Sequence, residues 1–350
     1  MPNCSRNLYE VTVIRPVIIF LLVFMHSFTM FTGGDTWPLP VGIHHVEAYR
    51  QLTWFTYSFF LEMFVFISGY LFCYQTSKRE IEWKSLIKKK AQRLLLPSIV
   101  FSTIYFLIFF LNSGQSWGSA ILNILSGSGH MWFLPMLFWC FLLGFLLTKI
   151  LIPEWVKLVV CCLLVAMSGV VGFLPFQIGK MCYYIFFFYL GVVVYNNKEY
   201  LSRKLSIGKI LGLFVTYIVS YAILSSLKGE IVSLPATNIV MKIVKAALVR
   251  ISTLCYSLAG LLSLYSIVQY WLNAHPNWKP SNMLLQLNSI CFGIYIFHQF
   301  VLKYLYYKTP LSTYVGTYYL PWVGFGIALL SSIVMSVLLS KVRVGRLLLG

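Results

Sequence analysis

Two ionisable residues lie inside the first hydrophobic stretch of the chain, which runs from Val11 to Phe31. Arg15 lies near the start of this stretch, and His26 follows eleven residues later. If the stretch is a helix rising ~1.5 Å per residue, ~16 Å of axis separates the two, which places them at opposite depths of a membrane. Because ionisable groups inside a spanning helix are energetically costly, they mark a functional site by default. The alternative is a snorkelling arginine and an uncharged, hydrogen-bonded histidine.

Three further titratable residues are expected at the depth of His26. Glu62 and His298 each lie about five residues from the outer end of a hydrophobic stretch, and His130 opens another stretch at the same surface. A histidine in this layer could act as a base near neutral pH, and a carboxylate could fix its orientation. The four residues could equally be unrelated polar groups at the membrane interface.

A dense basic segment is expected at the opposite surface, between the second and third hydrophobic stretches. It holds Lys78, Arg79, Lys84, Lys88, Lys89, Lys90 and Arg93. One explanation is the excess of positive charge that cytoplasmic loops carry, together with attraction to anionic lipids. The other is a site for a soluble polyanion, such as the phosphates of a nucleotide cofactor.

The composition indicates an integral membrane protein. Of the 350 residues, 59% are hydrophobic and 10% are charged, whereas a soluble domain is about 25% charged. Continuous apolar runs favour helices over a β-barrel, whose strands would alternate. The net charge of +18 does not indicate nucleic acid, because the basic residues cluster between apolar runs. The eight cysteines have no metal-ligand spacing, so we predict neither a metal site nor a disulfide framework.

Hydropathy and charge together predict the topology. Lysine and arginine are concentrated in connections that are cytoplasmic if both termini are cytoplasmic. We therefore predict a single all-α, multi-pass membrane domain over residues 1–350, with both ends inside. Basic residues within 239–250 predict an interfacial amphipathic helix on the outer surface. The ten expected spans are 13–31, 57–75, 95–112, 131–149, 156–174, 181–196, 208–227, 251–271, 284–304 and 320–340.

Five short segments resemble, in order, the motifs of the acyltransferase-3 family of membrane O-acyltransferases. The family hallmark, an arginine, ten residues and a histidine, fits Arg15 to His26. One departure is Pro16, which we expect to begin the first helix, since proline suits a first turn. The second segment is 64–71, which contains Ser68 and follows Glu62 at the acidic position of the motif. The third is 93–97, which begins with Arg93. The last two are 130–134, which contains His130 and Trp132, and 293–298, which ends at His298.

The resemblance implies transfer of an acyl group, usually acetyl, from cytoplasmic acyl-CoA to a hydroxyl of a sugar in a surface glycan or its lipid-linked precursor. The protein would lie in the cytoplasmic (inner) membrane, with acetyl-CoA as donor substrate and no permanently bound cofactor. His26 would be the base, and Glu62 would orient it. The phosphates of CoA would bind Arg15, Arg93, Lys88 and Lys89. Further site candidates are His130, Trp132, His298 and Ser68.

Two other functions are compatible with the same polar residues. A transporter or flippase for a lipid-linked sugar would also need charged groups at depth, but such proteins often have two related halves or paired broken helices, which this sequence does not show. A non-catalytic partner of a polysaccharide synthase would use the same residues structurally. Within the enzyme interpretation, general-base catalysis and a covalent acyl-histidine are both open.

The predicted topology can be tested by cysteine labelling. In a variant without native cysteines, Ser85→Cys should be protected from an impermeant maleimide in intact cells, because the basic segment is expected inside. Ser116→Cys should react, because the connection after the third span is expected outside. Labelling of both positions after cell lysis is the control, and labelling of Ser85→Cys in intact cells would overturn the map.

Overall fold

The structure, a computed structural model, describes residues 8–33, 36–111 and 116–349. The regular elements in these ranges are all helices, with 3₁₀ turns at Thr29–Thr32, Gly129–Trp132 and Val171–Phe173 and a π-helical turn at Ala91–Leu95. The α-helices are α1 (Tyr9–Phe28), α2 (Glu47–Tyr57), α3 (Phe60–Lys78), α4 (Trp83–Lys90), α5 (Leu96–Phe109), α6 (Trp117–Ser126), α7 (Phe133–Lys149), α8 (Glu154–Ser168), α9 (Ile178–Asn196), α10 (Lys198–Arg203), α11 (Ile207–Ser233), α12 (Ile239–Ala274), α13 (Asn282–Lys308), α14 (Leu311–Val315), α15 (Leu320–Lys341) and α16 (Arg343–Leu349).

The all-α, multi-pass membrane class predicted from the sequence is confirmed. In the described ranges, nine helical segments are long and apolar enough to cross a membrane, against ten expected spans. The difference falls at 156–174, where α8 has 15 residues. At ~1.5 Å per residue α8 is ~22 Å long, which is less than a hydrocarbon core of ~30 Å. The orientation of the termini stays a prediction.

Two expectations about helix boundaries are wrong. The stretch 239–250 is no separate interfacial helix but the first third of the 36-residue α12. It contains neither proline nor glycine, so nothing in its sequence interrupts the helix. Pro16 does not begin the first helix, because α1 starts at Tyr9 and contains the proline in its interior. The Arg15–His26 spacing nevertheless lies on one helix, as expected.

The backbone forms two compact units, of which the first joins the ends of the chain, Met1–Phe60 and Ala274–Gly350. In this unit α1 packs against α13 and α15. The Tyr306 hydroxyl of α13 donates to the Ser27 carbonyl at the end of α1 (2.9 Å). A side chain at Gly293 of α13 would collide with Ser336 of α15, so this glycine permits close packing of the two helices.

The second unit, Leu61–Asn273, holds α3 to α12 apart from one residue at each end. Its central helix is α9, which packs against α7 and α8. One polar group inside it is Lys157 of α8, which is buried and donates to Glu154 (3.1 Å). The Tyr189 hydroxyl of α9 donates to the other oxygen of the same carboxylate. A charge that leaves water needs such partners, since an isolated one is strongly disfavoured.

Two glycines allow α3 and α9 to approach closely. A Cβ atom at Gly69 would fall on the carbonyl oxygen of Phe188, and one at Gly191 would fall on that of Phe66. These carbonyl groups belong to the backbone of a helix, so they cannot move aside to make room for a methyl group as the end of a flexible side chain can. Small residues at such crossings are typical of membrane helix packing.

Gly69→Ala and Gly191→Ala should therefore destabilise the protein by about 1–3 kcal/mol, the usual cost of overpacking. The measurement is the melting temperature of purified protein in detergent. Gly212→Ala is the matched control, because a Cβ at that α11 position meets nothing within 4 Å. Alanine is the better helix former, so the control should be unchanged or slightly stabilised. Equal melting temperatures for the wild type and all three variants would contradict this packing.

Candidate active site

Two predicted site residues, 272 positions apart in the chain, meet inside the first unit. Nε2 of His298 on α13 lies 3.2 Å from Nδ1 of His26 on α1, and the ring centres are 4.9 Å apart. His298 is fully buried, whereas His26 is half-buried. The pair therefore has one ring that is open to approach and one ring that supports it from the interior.

Backbone carbonyls fix the tautomers of both rings. Nδ1 of His298 lies 3.0 Å from the Ile294 carbonyl oxygen, and Nδ1 of His26 lies 3.0 Å from that of Leu22. Since a carbonyl oxygen only accepts, each Nδ1 carries a hydrogen and each neutral ring has its lone pair at Nε2. The N–H at Nδ1 of His26 is therefore shared between two acceptors, the Leu22 carbonyl oxygen and the Nε2 lone pair of His298. His26 is left with a basic Nε2, the atom that a general base needs.

An aromatic ring and a buried cation flank this histidine pair within the first unit. The Trp37 ring centre is 6.3 Å from that of His26. Nζ of Lys303, which lies on α13 five residues after His298 and is buried, is 5.2 Å from the centre of the same tryptophan ring. Reasoning from the sequence did not predict that this lysine lies beside the tryptophan. Its contact with the aromatic face is a cation–π interaction.

Glu62 is held by a tyrosine in the second unit. It is buried near the start of α3, and the Tyr183 hydroxyl of α9 donates to its Oε1 at 3.1 Å. Oε2 is also buried and has no hydrogen-bond partner among the residues that the structure describes. A buried carboxylate oxygen without a partner is unfavourable, which is typical of a site that binds or transforms something.

Two buried serines of α5 hold the turn that contains His130. Ser102 Oγ accepts from the Ser128 backbone N–H (3.0 Å), and Ser98 Oγ donates to the Met131 carbonyl (3.4 Å). The buried His130 ring packs edge-on against Tyr105, with ring centres 6.0 Å apart.

Trp132, at the end of the same turn, packs differently. Its ring lies 3.9 Å from Nζ of Lys180 and 6.0 Å from the Tyr184 ring centre. Tyr184 is the neighbour of Tyr183, the partner of Glu62, and their ring centres are 5.0 Å apart. The structure thus connects Trp132 to the surroundings of Glu62. Ser68, the remaining candidate from the motifs, donates to the Phe64 carbonyl of its own helix (2.8 Å).

A basic pocket of about 310 Å³ lies where α3 is followed by α4. Its lining includes four cations, Arg79, Lys89, Lys90 and Arg93, and two carboxylates, Glu80 and Glu82. Four positive and two negative charges leave a net charge of +2, which favours an anionic ligand.

The motif that contains Arg93 explains its position locally. Pro97, four residues later, has no N–H for the Arg93 carbonyl, and its ring would clash there in a regular α-helix. The chain forms the π-helical turn Ala91–Leu95 at this point. Such turns are frequent at functional sites, because they change the direction of side chains.

The other two predicted donor-binding residues lie elsewhere. Lys88 is exposed on α4 but does not line the basic pocket, since successive residues of a helix point ~100° apart. Arg15 lies half-buried on α1 in the first unit, where it interacts electrostatically with Cys291 of α13. The structure thus assigns to one pocket only Lys89 and Arg93 of the four.

A comparison with protein families gives one match. A family model described as an acyltransferase domain, Acyl_transf_3, matches residues 8–341, nearly the whole chain. The chain belongs to the acyltransferase-3 family. No curated protein and no solved structure matches it. The family and the general activity predicted from the motifs, a membrane acyltransferase, are confirmed.

Several residues that contact the candidate residues or their neighbours within each unit were missed by reasoning from the sequence. Tyr183, Lys180 and Lys303 contact Glu62, Trp132 and Trp37 respectively. The sequence offers one weak signal for the two lysines, which is that each lies at the edge of an apolar run. Nothing in it indicates which aromatic residue each would meet.

Proposed function

We propose that this acyltransferase moves an acyl group, acetyl being the expected one, from acyl-CoA to a hydroxyl of a sugar in a surface glycan or its lipid-linked precursor. The observation that carries the proposal is the contact between His26 and His298. In this contact His26 is half-buried, and its Nε2 is the basic nitrogen of the ring. The Leu22 carbonyl and His298, which both contact Nδ1, fix the tautomer of the ring. A general base in an acyl transfer to oxygen requires that arrangement.

In the proposed reaction the acceptor hydroxyl gives its proton to Nε2 of His26 as its oxygen attacks the thioester carbonyl. The C–S bond then breaks, the ester forms, and the thiolate leaving group takes the proton to become the CoA thiol. During this step His26 is an imidazolium, and its Nδ1 hydrogen is donated to the neutral Nε2 of His298. The hydrogen bond becomes charge-assisted at that moment and therefore stabilises the transition state more than the ground state.

Glu62 is the second proposed catalytic residue, on the basis of its burial, its unsatisfied Oε2 and its place in the family motif. A negative charge in the apolar interior would stabilise positive charge that develops during the reaction. A covalent acyl-histidine at His26 is the variant route. Trapped acyl label on the protein in the absence of acceptor would distinguish this route from direct transfer.

The phosphates of the donor are assigned to the basic pocket. Support comes from its net positive charge and from Arg93, whose guanidinium can contact two phosphate oxygens at once. The pocket lies at the surface that the distribution of basic residues predicts to be cytoplasmic, where acyl-CoA is found.

The proposal is tested with purified protein, acetyl-CoA labelled in its acetyl group, and candidate glycans. Release of CoA thiol that depends on the glycan, with label recovered in the glycan, is expected. Binding of a lipid-linked sugar without thiol release in any combination would favour a transporter. Release of thiol at the same rate with and without acceptor would indicate hydrolysis.

His26→Ala should reduce glycan-dependent transfer by roughly 10²–10⁴-fold, the usual worth of general-base assistance, while the affinity for CoA stays close to that of the wild type. His298→Ala should reduce transfer less, because the base His26 remains and only its hydrogen bond to Nε2 of His298 is lost. His298→Gln should retain more activity than His298→Ala, since the amide oxygen can accept the same hydrogen bond. Glu62→Gln should also lower the rate.

The matched control for the histidine variants is His44→Ala, which removes an exposed histidine of the first unit. Its transfer rate should equal that of the wild type. Size-exclusion profiles and CoA binding establish that each variant is folded. A folded His26→Ala protein that transfers acetyl groups at a near wild-type rate would refute the assignment of the base.

Arg93→Gln should weaken CoA binding by roughly tenfold or more, because charge-assisted hydrogen bonds are worth about 1.5–3 kcal/mol. Arg93→Lys should restore only part of the affinity, since an ammonium group does not bind phosphate bidentately. Lys88→Gln is the control, because it removes the same charge from the same segment but outside the basic pocket. The measurement is calorimetric titration with CoA. Equal losses in Arg93→Gln and Lys88→Gln would mean that general surface charge, and not this pocket, attracts the donor.

A further inference from the structure

Three cations of the second unit lie near the Glu62–Tyr183 pair or near the neighbouring Trp132. The guanidinium carbon of Arg250 on α12 lies 5.7 Å from the centre of the Tyr183 ring. Nζ of Lys180 at the start of α9 lies 3.9 Å from the Trp132 ring. Lys228 of α11 interacts electrostatically with both Glu62 and Arg250. We name Lys180, Lys228 and Arg250 the basic triad.

The basic triad has more positive charge than its surroundings neutralise. None of the three forms an ion pair within 4 Å in the described ranges, and Glu62 is a carboxylate that interacts electrostatically with one of them, Lys228. Three positive charges and one negative charge leave a net +2. Arg250 also acts electrostatically on both lysines. Like charges that lie close together repel, most strongly where they are partly removed from water, as the half-buried Arg250 and Lys228 are, and a bound anion would relieve this repulsion.

Other basic residues of the same region are explained without a ligand. Lys245 of α12 donates to the carbonyl oxygens of Val232 and Leu234 (2.6 and 2.8 Å), where α11 ends. It therefore satisfies groups that a helix terminus leaves unpaired. Lys242 is exposed on the first turn of α12. By contrast, Arg250 and Lys228 are half-buried, and two members of the triad lie over aromatic rings rather than in a hydrogen bond to backbone.

We propose that the basic triad binds a negatively charged group, a carboxylate or a phosphate, carried by the acceptor. This inference rests on the proposed function, since it names the chemical class of its acceptor. Arg250 supplies a planar group that fits two oxygens, and the lysines supply point charges. The neighbouring Trp132 and Tyr184 rings provide aromatic surface of the kind that binds sugar faces.

The experiment compares two probes that differ only at C6 of the sugar, octyl β-glucuronide with a carboxylate and octyl β-glucoside with a neutral hydroxymethyl group. The full chain is purified and placed in phosphatidylcholine nanodiscs, and binding is measured without acetyl-CoA. The glucuronide should bind at least roughly tenfold more tightly, since a charge-assisted hydrogen bond is worth that much. Arg250→Gln should remove the preference, and Lys180→Gln, at an exposed position, should reduce it. Lys242→Gln is the matched control and should keep it.

A lipid headgroup is the other source of such an anion, and a second arm separates the two. Nanodiscs with phosphatidylglycerol should leave the preference for the glucuronide intact. If phosphatidylglycerol abolishes it, and native mass spectrometry shows retained phosphatidylglycerol in the wild type but not in Arg250→Gln, the triad is a lipid site and the inference is wrong. Equal binding of both probes in phosphatidylcholine also overturns it. Because binding is measured without donor, an absence of acyl transfer would refute the proposed function alone.

Discussion

The candidate site depends on a constraint that acts on any histidine in an apolar helix: its Nδ1 hydrogen needs an acceptor. For both His26 and His298 the nearest acceptor is the carbonyl one helical turn back, at Leu22 and Ile294. This hydrogen bond within each helix determines the tautomer of each ring. When α1 packs against α13, the lone pair of the buried ring faces the hydrogen of the accessible one.

The same requirement explains several other polar groups inside the protein. Glu62 has Tyr183, Lys157 has Glu154 and Tyr189, and the serines of α5 bind the backbone of the turn at His130. Each satisfied group stabilises the packing of the helices that carry it, because an unpaired polar atom in an apolar medium costs several kcal/mol. Against this background the buried Oε2 of Glu62 is one of six buried side-chain polar atoms in the described ranges that have no hydrogen-bond partner.

Two concentrations of positive charge differ in how they are held. The basic pocket combines three exposed cations and the half-buried Lys90 with two carboxylates, and it includes Arg93 of a π-helical turn that Pro97 favours. The basic triad is held by aromatic faces and lies close to a single buried carboxylate. The first arrangement suits a soluble, highly charged donor. The second suits one anionic group on a ligand that also has apolar or sugar surface.

The sequence by itself determined the membrane class, most helix positions, the family and the identity of the polar residues at depth. Hydropathy and motif spacing are local properties, and the helix that carries Arg15 and His26 is set by its own residues. Only the tertiary structure decided that His26 meets His298, that Tyr183 meets Glu62, and that Lys89 rather than Lys88 lines the basic pocket. These facts depend on the rotation of each helix about its axis and on which distant helix it contacts. Both are set by packing between residues far apart in the chain, such as the close approach at Gly69 and Gly191, which an apolar sequence pattern does not specify.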